Sequence, residues 1–224
     1  MPASTHPSSE AKIAVMPGIR VPAQQRGQDS LDRLLAAGTE LLALRGYDGL
    51  TLAEVAERAG VSYGAMQYRI TTKDALIGAI HEEFWHYAES HAVGLLEASR
   101  WDGMSLREVV IGAVRDISTV YTHNPPLLRA LSLRAGTDAA IRERVALSTH
   151  RGSRALTALL EPRLTAAGHN DPHETPKKIF TAATGAFASR TTWPEFHDGP
   201  LEWDDYVDTV CEMALGAIDA GLPK

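Results

Sequence analysis

Apolar residues recur at helical spacing along most of this chain, and no segment alternates apolar and polar residues as a half-buried strand does. A first amphipathic helix is predicted from about Gln28 to Arg45, ended by Gly46. We expect its apolar side to consist of Leu31, Leu34, Leu35, Ala37, Leu41, Leu42 and Leu44. The pattern therefore predicts an all-α protein.

Two short helices are predicted next, in the run from Thr51 to Ile70. Thr51 and Glu54 have the spacing of a capping box, and Ser62 is placed to cap the second helix. Gly60 lies between them, where the chain needs a left-handed residue. This arrangement is typical of a helix-turn-helix, which lays one helix across the DNA backbone and the other in the major groove.

The outward side of this motif supplies the candidate DNA contacts. Lys73 is included because a lysine opposes the dipole at a helix start unless a phosphate lies there too. Alternatives remain: the tyrosines could pack on a neighbouring helix, the polar residues could form a solvated face, and Thr51 is first of all a cap. The candidates are Thr51, Ser62, Tyr63, Gly64, Gln67, Tyr68, Arg69 and Lys73.

Four short segments follow one another in a recognisable order: Arg45-Gly46-Tyr47, Ala59-Gly60-Val61-Ser62, Gly64-Ala65-Met66 and Lys73-Asp74-Ala75-Leu76. Through them residues 28 to about 88 resemble the TetR family of transcriptional regulators. Three positions depart from the family pattern. Gln67 replaces a tyrosine that commonly touches phosphate, Tyr68-Arg69 replaces an aromatic or histidine pair, and Ile70 replaces a core phenylalanine. The motif thus predicts DNA binding but not which DNA.

Helical patterns continue to the end of the chain, giving about nine helices in total. They are predicted over residues 72–98, 105–121, from Asn124, over 137–167 with an interruption near Gly152, and over 176–193 and 203–221. We expect a disordered arm over 1–27, a helix-turn-helix domain over 28–75 and a helical body over 76–224. Arg20 and Arg26 of the arm either reach the minor groove or belong to an unattached tail.

The resemblance implies that the body binds a small ligand and forms a homodimer. The last two helices are rich in small residues, and the alternative is that they pack only within one chain. A second copy has independent support, because one helix-turn-helix contacts few base pairs and two would read a palindrome. The predicted dimer residues are Ala182, Gly185, Ala186, Cys211, Ala214 and Ala217.

The effector implied by the resemblance is a small, largely apolar molecule of unknown identity. Its binding is expected to move the fourth helix, which begins near Lys73, and so to release a repressor from its operator. Aromatic residues at helical spacing are nevertheless more often plain core. The candidate pocket residues are Phe84, Trp85, Met104, Tyr121, His123, Leu127, Leu131 and Trp193.

Charge and composition limit how the chain could bind DNA and where in the cell it would act. Up to Ala75 eight Lys and Arg balance eight Asp and Glu, while the rest of the chain carries the net charge of −6. DNA binding must therefore rely on a few well-placed cations. The single cysteine, Cys211, and the lack of a membrane-length apolar run favour a cytoplasmic protein with no membrane partner.

Other functional classes fit the sequence less well than a DNA-binding regulator does. Glu83 and His86 have the Glu-x-x-His spacing of di-iron bundles, but the chain has no second copy of this pair. His81, His86 and His91 are five residues apart and turn away from a common face. We therefore expect no enzyme activity, metal or cofactor. A helical metalloenzyme, or a ligand-binding or scaffold protein without DNA binding, remains the alternative.

Overall fold

The computed structural model describes residues 18–20, 25–196 and 202–223, and their regular elements are helical. The prediction of an all-α fold is confirmed. Two 3₁₀ turns, Ala98–Trp101 and Pro194–Phe196, accompany the helices. The nine α-helices of these described ranges are α1 (Gln25–Arg45), α2 (Leu52–Arg58), α3 (Tyr63–Arg69), α4 (Lys73–Gly94), α5 (Leu106–Thr122), α6 (Pro125–Ala135), α7 (Ala139–Ala166), α8 (Glu174–Thr192) and α9 (Trp203–Asp219).

The chain divides into two compact units after His86, so residues of α4 belong to both. In the first unit α1 packs on α2, and α2 packs on α3. Gly38 in α1 faces Leu76 and Ile80, and a Cβ at Gly38 would lie only 3.0 Å from the Ile80 side chain. The glycine thus permits the close approach of α1 to α4 on which this small core depends.

Three expectations for the first unit need correction. Leu44 is 71% exposed, because it points away from the stripe formed by the other leucines of α1. α1 begins at Gln25, three residues early, and Gly18–Arg20 pairs with residues 69–71 instead of belonging to a disordered arm. The remainder of the predicted arm, residues 1–17 and 21–24, lies outside the described residues.

The second unit is built around α8, which packs against α5, α6, α7 and α9. Phe187 of α8 is fully buried, with the rings of Tyr121 and Trp203 each 5.6 Å away. The interruption predicted near Gly152 is wrong, since α7 continues through it. A Cβ at Gly152 would lie 2.6 Å from Phe180 Cζ, so the glycine serves close packing of α7 on α8.

The other helix boundaries differ from expectation by a few residues. α4 ends at Gly94 before a 3₁₀ turn, where the buried Trp101 indole donates a hydrogen bond to the Leu95 carbonyl (3.1 Å). α8 begins at Glu174, which leaves Pro176 in its first turn. α5 opens with a capping box of Ser105 and Glu108, at the start predicted for this helix. None of the helices in the described ranges is long and apolar enough to span a membrane.

Candidate nucleic-acid interface

The turn between α2 and α3 is fixed by side-chain caps at both helix starts. The Thr51 hydroxyl accepts from the Glu54 amide, and the Ser62 hydroxyl accepts from the Ala65 amide, both at 3.3 Å. Between the helices Gly60 has φ +64°, a left-handed conformation that costs a residue with a Cβ more than it costs glycine. These local bonds hold α3 at a defined angle to α2 and confirm the predicted helix-turn-helix.

One face of α3 supports the motif and the other faces outward. Met66 and Ile70 have no exposed surface, whereas Tyr63 and Tyr68 are 47% and 64% exposed. Gln67 Nε2 donates to the Tyr63 hydroxyl at 3.0 Å, which orders these two side chains on the same exposed surface. The outward face therefore presents aromatic and amide groups, the chemistry that contacts bases and phosphates.

Gly64 lies on this face and has no conformational need to be glycine. It is helical and exposed, and a Cβ placed there would meet no protein atom within 4 Å. Glycine inside a helix costs about 1 kcal/mol relative to alanine. The fold alone therefore offers no reason for glycine at this position.

Two arginines of the first unit are paired with carboxylates. Arg45 pairs with Glu54 (2.5 Å) and Arg58 pairs with Glu40 (2.6 Å). Hydrogen bonding from Thr51, together with Arg45, lowers the pKa of Glu54, so this pair stays charged at neutral pH. These two arginines are thus engaged within the protein.

Arg69 and Lys73 flank the turn that leaves α3. Lys73 is the first residue of α4 and is half-buried, with its ammonium 4.4 Å from the ring centroid of Tyr47. The Tyr47 hydroxyl donates to the Asp74 carboxylate in the same helical turn. Neither Arg69 nor Lys73 forms a salt bridge with a carboxylate of the described residues, so both cations are available for phosphate.

Among the predicted DNA contacts, Thr51 already caps α2. Its hydroxyl accepts from the Glu54 amide and also donates to the Glu54 carboxylate at 2.7 Å. A phosphate contact would have to share this hydroxyl. Its capping role is shown by the structure, while its DNA contact stays a prediction.

The eight predicted pocket residues do not share one environment. Phe84 and Trp85 are buried in the first unit, and their rings meet edge to face at 5.2 Å. Leu127 and Leu131 of α6 are buried in the second unit. Tyr121 packs beside Phe187, and burial raises the pKa of its phenol far above the ordinary value.

The remaining three pocket candidates are exposed. Met104 is 48% exposed, and Trp193 is 38% exposed while stacked on Phe196 at 5.7 Å. His123 is exposed as well and stacks on Tyr87 at 3.7 Å. Their role in binding a ligand stays a prediction.

The predicted dimer residues form a buried group and a more exposed group. Cys211 and Ala214 are buried inside the second unit, and the Cys211 thiol lies 3.9 Å from the Ile111 carbonyl of α5. Their small side chains let α9 approach α5 of the same chain, and their part in a surface between two chains stays a prediction. Burial also raises the pKa of the Cys211 thiol, which keeps it protonated and unreactive.

The other four small residues of that group have at least part of their surface exposed in the single chain. Ala182, Gly185 and Ala217 are exposed, while Ala186 is half-buried and its carbonyl accepts from the Tyr206 hydroxyl at 3.1 Å. The neighbouring Met213 is 61% exposed. Their role as a dimer surface stays a prediction.

Sequence reasoning missed how the segment before α1 meets the first unit. Ile19 is 7% exposed and bridges to Ile70, and the Arg20 guanidinium lies 4.8 Å from the ring centroid of Tyr68. Ile19 is one of several apolar residues in this stretch, and nothing in the sequence singles it out. Periodicity cannot detect it, since a lone bridge has no repeat.

The chain was compared with family models, curated proteins and solved structures. Residues 34–80 match the model of bacterial regulatory proteins of the tetR family. No curated protein matches the sequence. Several solved structures share the fold.

A transcriptional regulator from Rhodococcus sp. Rha1 is 20% identical over 86% of this chain and 97% of its own, with a TM-score of 0.62. A TetR transcription regulator from Haloarcula marismortui is 19% identical over 87% of this chain and 99% of its own, with a TM-score of 0.66. A regulator of the TetR/AcrR family from Thermobifida fusca is 18% identical over 84% and 97%, with a TM-score of 0.64.

At such low identities the structural similarity establishes a shared fold and no more. The match to the family model, in contrast, lies in the helix-turn-helix segment itself. Caps, turn and outward face agree with a DNA-binding role in transcription regulation. Residues 34–80 of this chain are therefore similar to the bacterial regulatory proteins of the tetR family.

Proposed function

We propose that this protein is a homodimeric repressor that binds a palindromic operator through α3 and leaves it when a small, largely apolar effector binds. The observation that carries the proposal is the outward face of α3, where Gly64 has no role within the protein. A glycine that the fold does not need is explained if another backbone approaches it closely. A DNA strand against the start of α3 meets this condition.

The other residues of α3 fit the same partner. One stretch of major groove would meet the residues that cap α3 or extend along it, which are Ser62, Tyr63, Gln67, Tyr68 and Arg69. Arg69 has the fork of donors that reads guanine or grips a phosphate. Lys73 and the amides at the start of α4 would bind a phosphate together.

Dimerisation through α8 and α9 rests on the same kind of observation. Gly185 and Gly216 are exposed and helical, and a Cβ at either position would meet no protein atom within 4 Å. With Ala182 and Ala217 they leave a surface on which a second copy could pack its helices at short distance. A dimer would place two α3 helices on one face of a duplex, about 34–36 Å or a multiple apart.

Ala217→Arg tests the dimer directly. An arginine at this exposed position leaves the folded chain intact but cannot be buried in an apolar interface without a partner. We expect the variant to be monomeric by light scattering at micromolar concentration, while Ala140→Arg, an exposed position on α7, stays dimeric. A dimeric Ala217→Arg variant would place the interface elsewhere.

The effector is proposed to act by population shift. α4 contains Lys73 in the first unit and continues to Gly94 in the second, so a change in its position would reach the DNA contacts. Tyr121, Leu127 and Leu131 are among the second unit's candidates for contact with an apolar ligand. A thermal-shift screen of small hydrophobic compounds tests this step, and supporting compounds must also release bound DNA.

Selection of bound duplexes from a random library tests the main proposal. The full chain should enrich a palindromic sequence, and binding to it should weaken steeply with salt, because every phosphate neutralised by a cation releases counterions. Recovery of unrelated sequences, or binding that ignores salt, would contradict binding to a palindromic operator.

A further inference from the structure

The segment Gly18–Arg20 is fastened to the end of α3 by backbone pairing. The Arg20 amide donates to the Arg69 carbonyl at 2.8 Å, and the Thr71 amide donates to the Gly18 carbonyl at 3.0 Å. Ile19 fills the space between these bonds and is 7% exposed. Three residues that precede α1 are thus joined to the turn that follows the proposed reading helix.

Gly18 shows how closely the segment fits. Its φ is +85°, and a Cβ there would lie 2.8 Å from Thr71 Oγ1 and 2.9 Å from the Ala75 side chain. A residue other than glycine would be strained in this conformation and would push the segment away. The contact therefore depends on the local sequence, unlike the loose contact of an unattached tail.

The pairing fixes the direction of the Arg20 side chain. Successive residues of an extended segment point to opposite sides, so an inward Ile19 turns Arg20 outward. Its guanidinium lies 4.8 Å from the ring centroid of the exposed Tyr68, and among the described residues no carboxylate forms a salt bridge with it. A guanidinium over an aromatic ring keeps its in-plane N–H donors available.

We propose that Arg20 is a DNA contact, held by Ile19 and Tyr68 beside Arg69 so that its guanidinium binds a phosphate of the operator duplex. This inference rests on the function proposed above and adds a contact from outside the helix-turn-helix. Two cations, Arg20 and Arg69, would then flank the same end of α3. In a dimer each operator would receive Arg20 twice.

Arg20→Ala in the full chain is the test, with a labelled duplex selected from random sequence by the wild-type protein. We expect affinity to fall about tenfold or more. The slope of log K against log salt should decrease in magnitude by about 0.9 for each phosphate that the variant leaves unneutralised, or about 1.8 for two copies. Arg20→Lys keeps the charge and should retain most of the slope.

Arg154→Ala, an exposed arginine of the second unit, is the matched control and should bind as wild type does. Equal affinity and slope for Arg20→Ala and wild type would overturn the inference while leaving the regulator intact. A slope reduced as much in Arg20→Lys as in Arg20→Ala would show that charge is not what Arg20 supplies. Failure of the wild-type protein to select any duplex would instead refute the proposed function.

Discussion

Replacing Gly64 with alanine should move stability and DNA binding in opposite directions. The new methyl group meets no protein atom within 4 Å, so it brings no clash. Alanine is favoured over glycine in a helix by about 0.5–1 kcal/mol. For a chain of this size that gain corresponds to a rise in melting temperature of about 1–4 °C.

The same methyl group would stand between α3 and a DNA backbone. Forcing one extra methyl into a tight contact typically costs about 1–3 kcal/mol, which is about a five- to 150-fold loss of affinity for each copy bound. Fluorescence anisotropy with the selected duplex measures the loss, and a thermal melt of the free protein measures the stability. The two effects are independent because one requires DNA.

Gly94→Ala is the matched control for this experiment. Gly94 ends α4 in the second unit, and a Cβ there would make only an ordinary contact, 3.7 Å from Arg100 Nη1. This variant should keep wild-type DNA affinity. A stable Gly64→Ala protein that binds DNA as tightly as wild type would refute a close approach of DNA to Gly64.

Three further predictions concern the cations, the core and pH. Lys73→Ala should weaken binding to all duplexes alike and reduce the salt dependence of the affinity. Arg69→Ala should instead relax the sequence preference at one base pair if Arg69 contacts a base. Fluorescence anisotropy with single-base operator variants separates these outcomes. Gly152→Ala should destabilise the protein by about 1–3 kcal/mol in denaturant melts, because the new Cβ would lie 2.6 Å from Phe180 Cζ, and a neutral result would mean that the ring moves aside freely. Burial, mainly, lowers the pKa of His91 from its ordinary 6.5, so the unfolded chain binds the proton first and stability should fall as pH drops below about 6.5. In His91→Gln part of this loss below about pH 6.5 should disappear, and an unchanged pH profile would contradict it.

The helix-turn-helix can be predicted because its determinants are local. Thr51, Gly60 and Ser62 act on residues at most five positions away, and those contacts are legible in the sequence itself. The same locality explains why the caps of α5 and α6 are predictable. A sequence supplies such short-range chemistry well.

The interruption expected near Gly152 and the missed contact of Ile19 both involve residues far apart in the chain. Gly152 suggests a helix break in the sequence, because its partner Phe180 is not apparent until α7 lies on α8. Nothing in the sequence near Cys211 likewise shows that its thiol lies against α5 of its own chain. A small residue indicates that another part of the protein or a partner packs closely against it, but only the folded structure identifies that neighbour.

Affinity for the selected palindrome and for a scrambled duplex, measured across a range of salt concentrations, tests the central claim most directly. A dimer reading DNA through α3 should prefer the palindrome by about a thousandfold or more, with both affinities falling as salt rises. Equal affinity for the two duplexes at every salt concentration would contradict sequence-specific recognition by this protein.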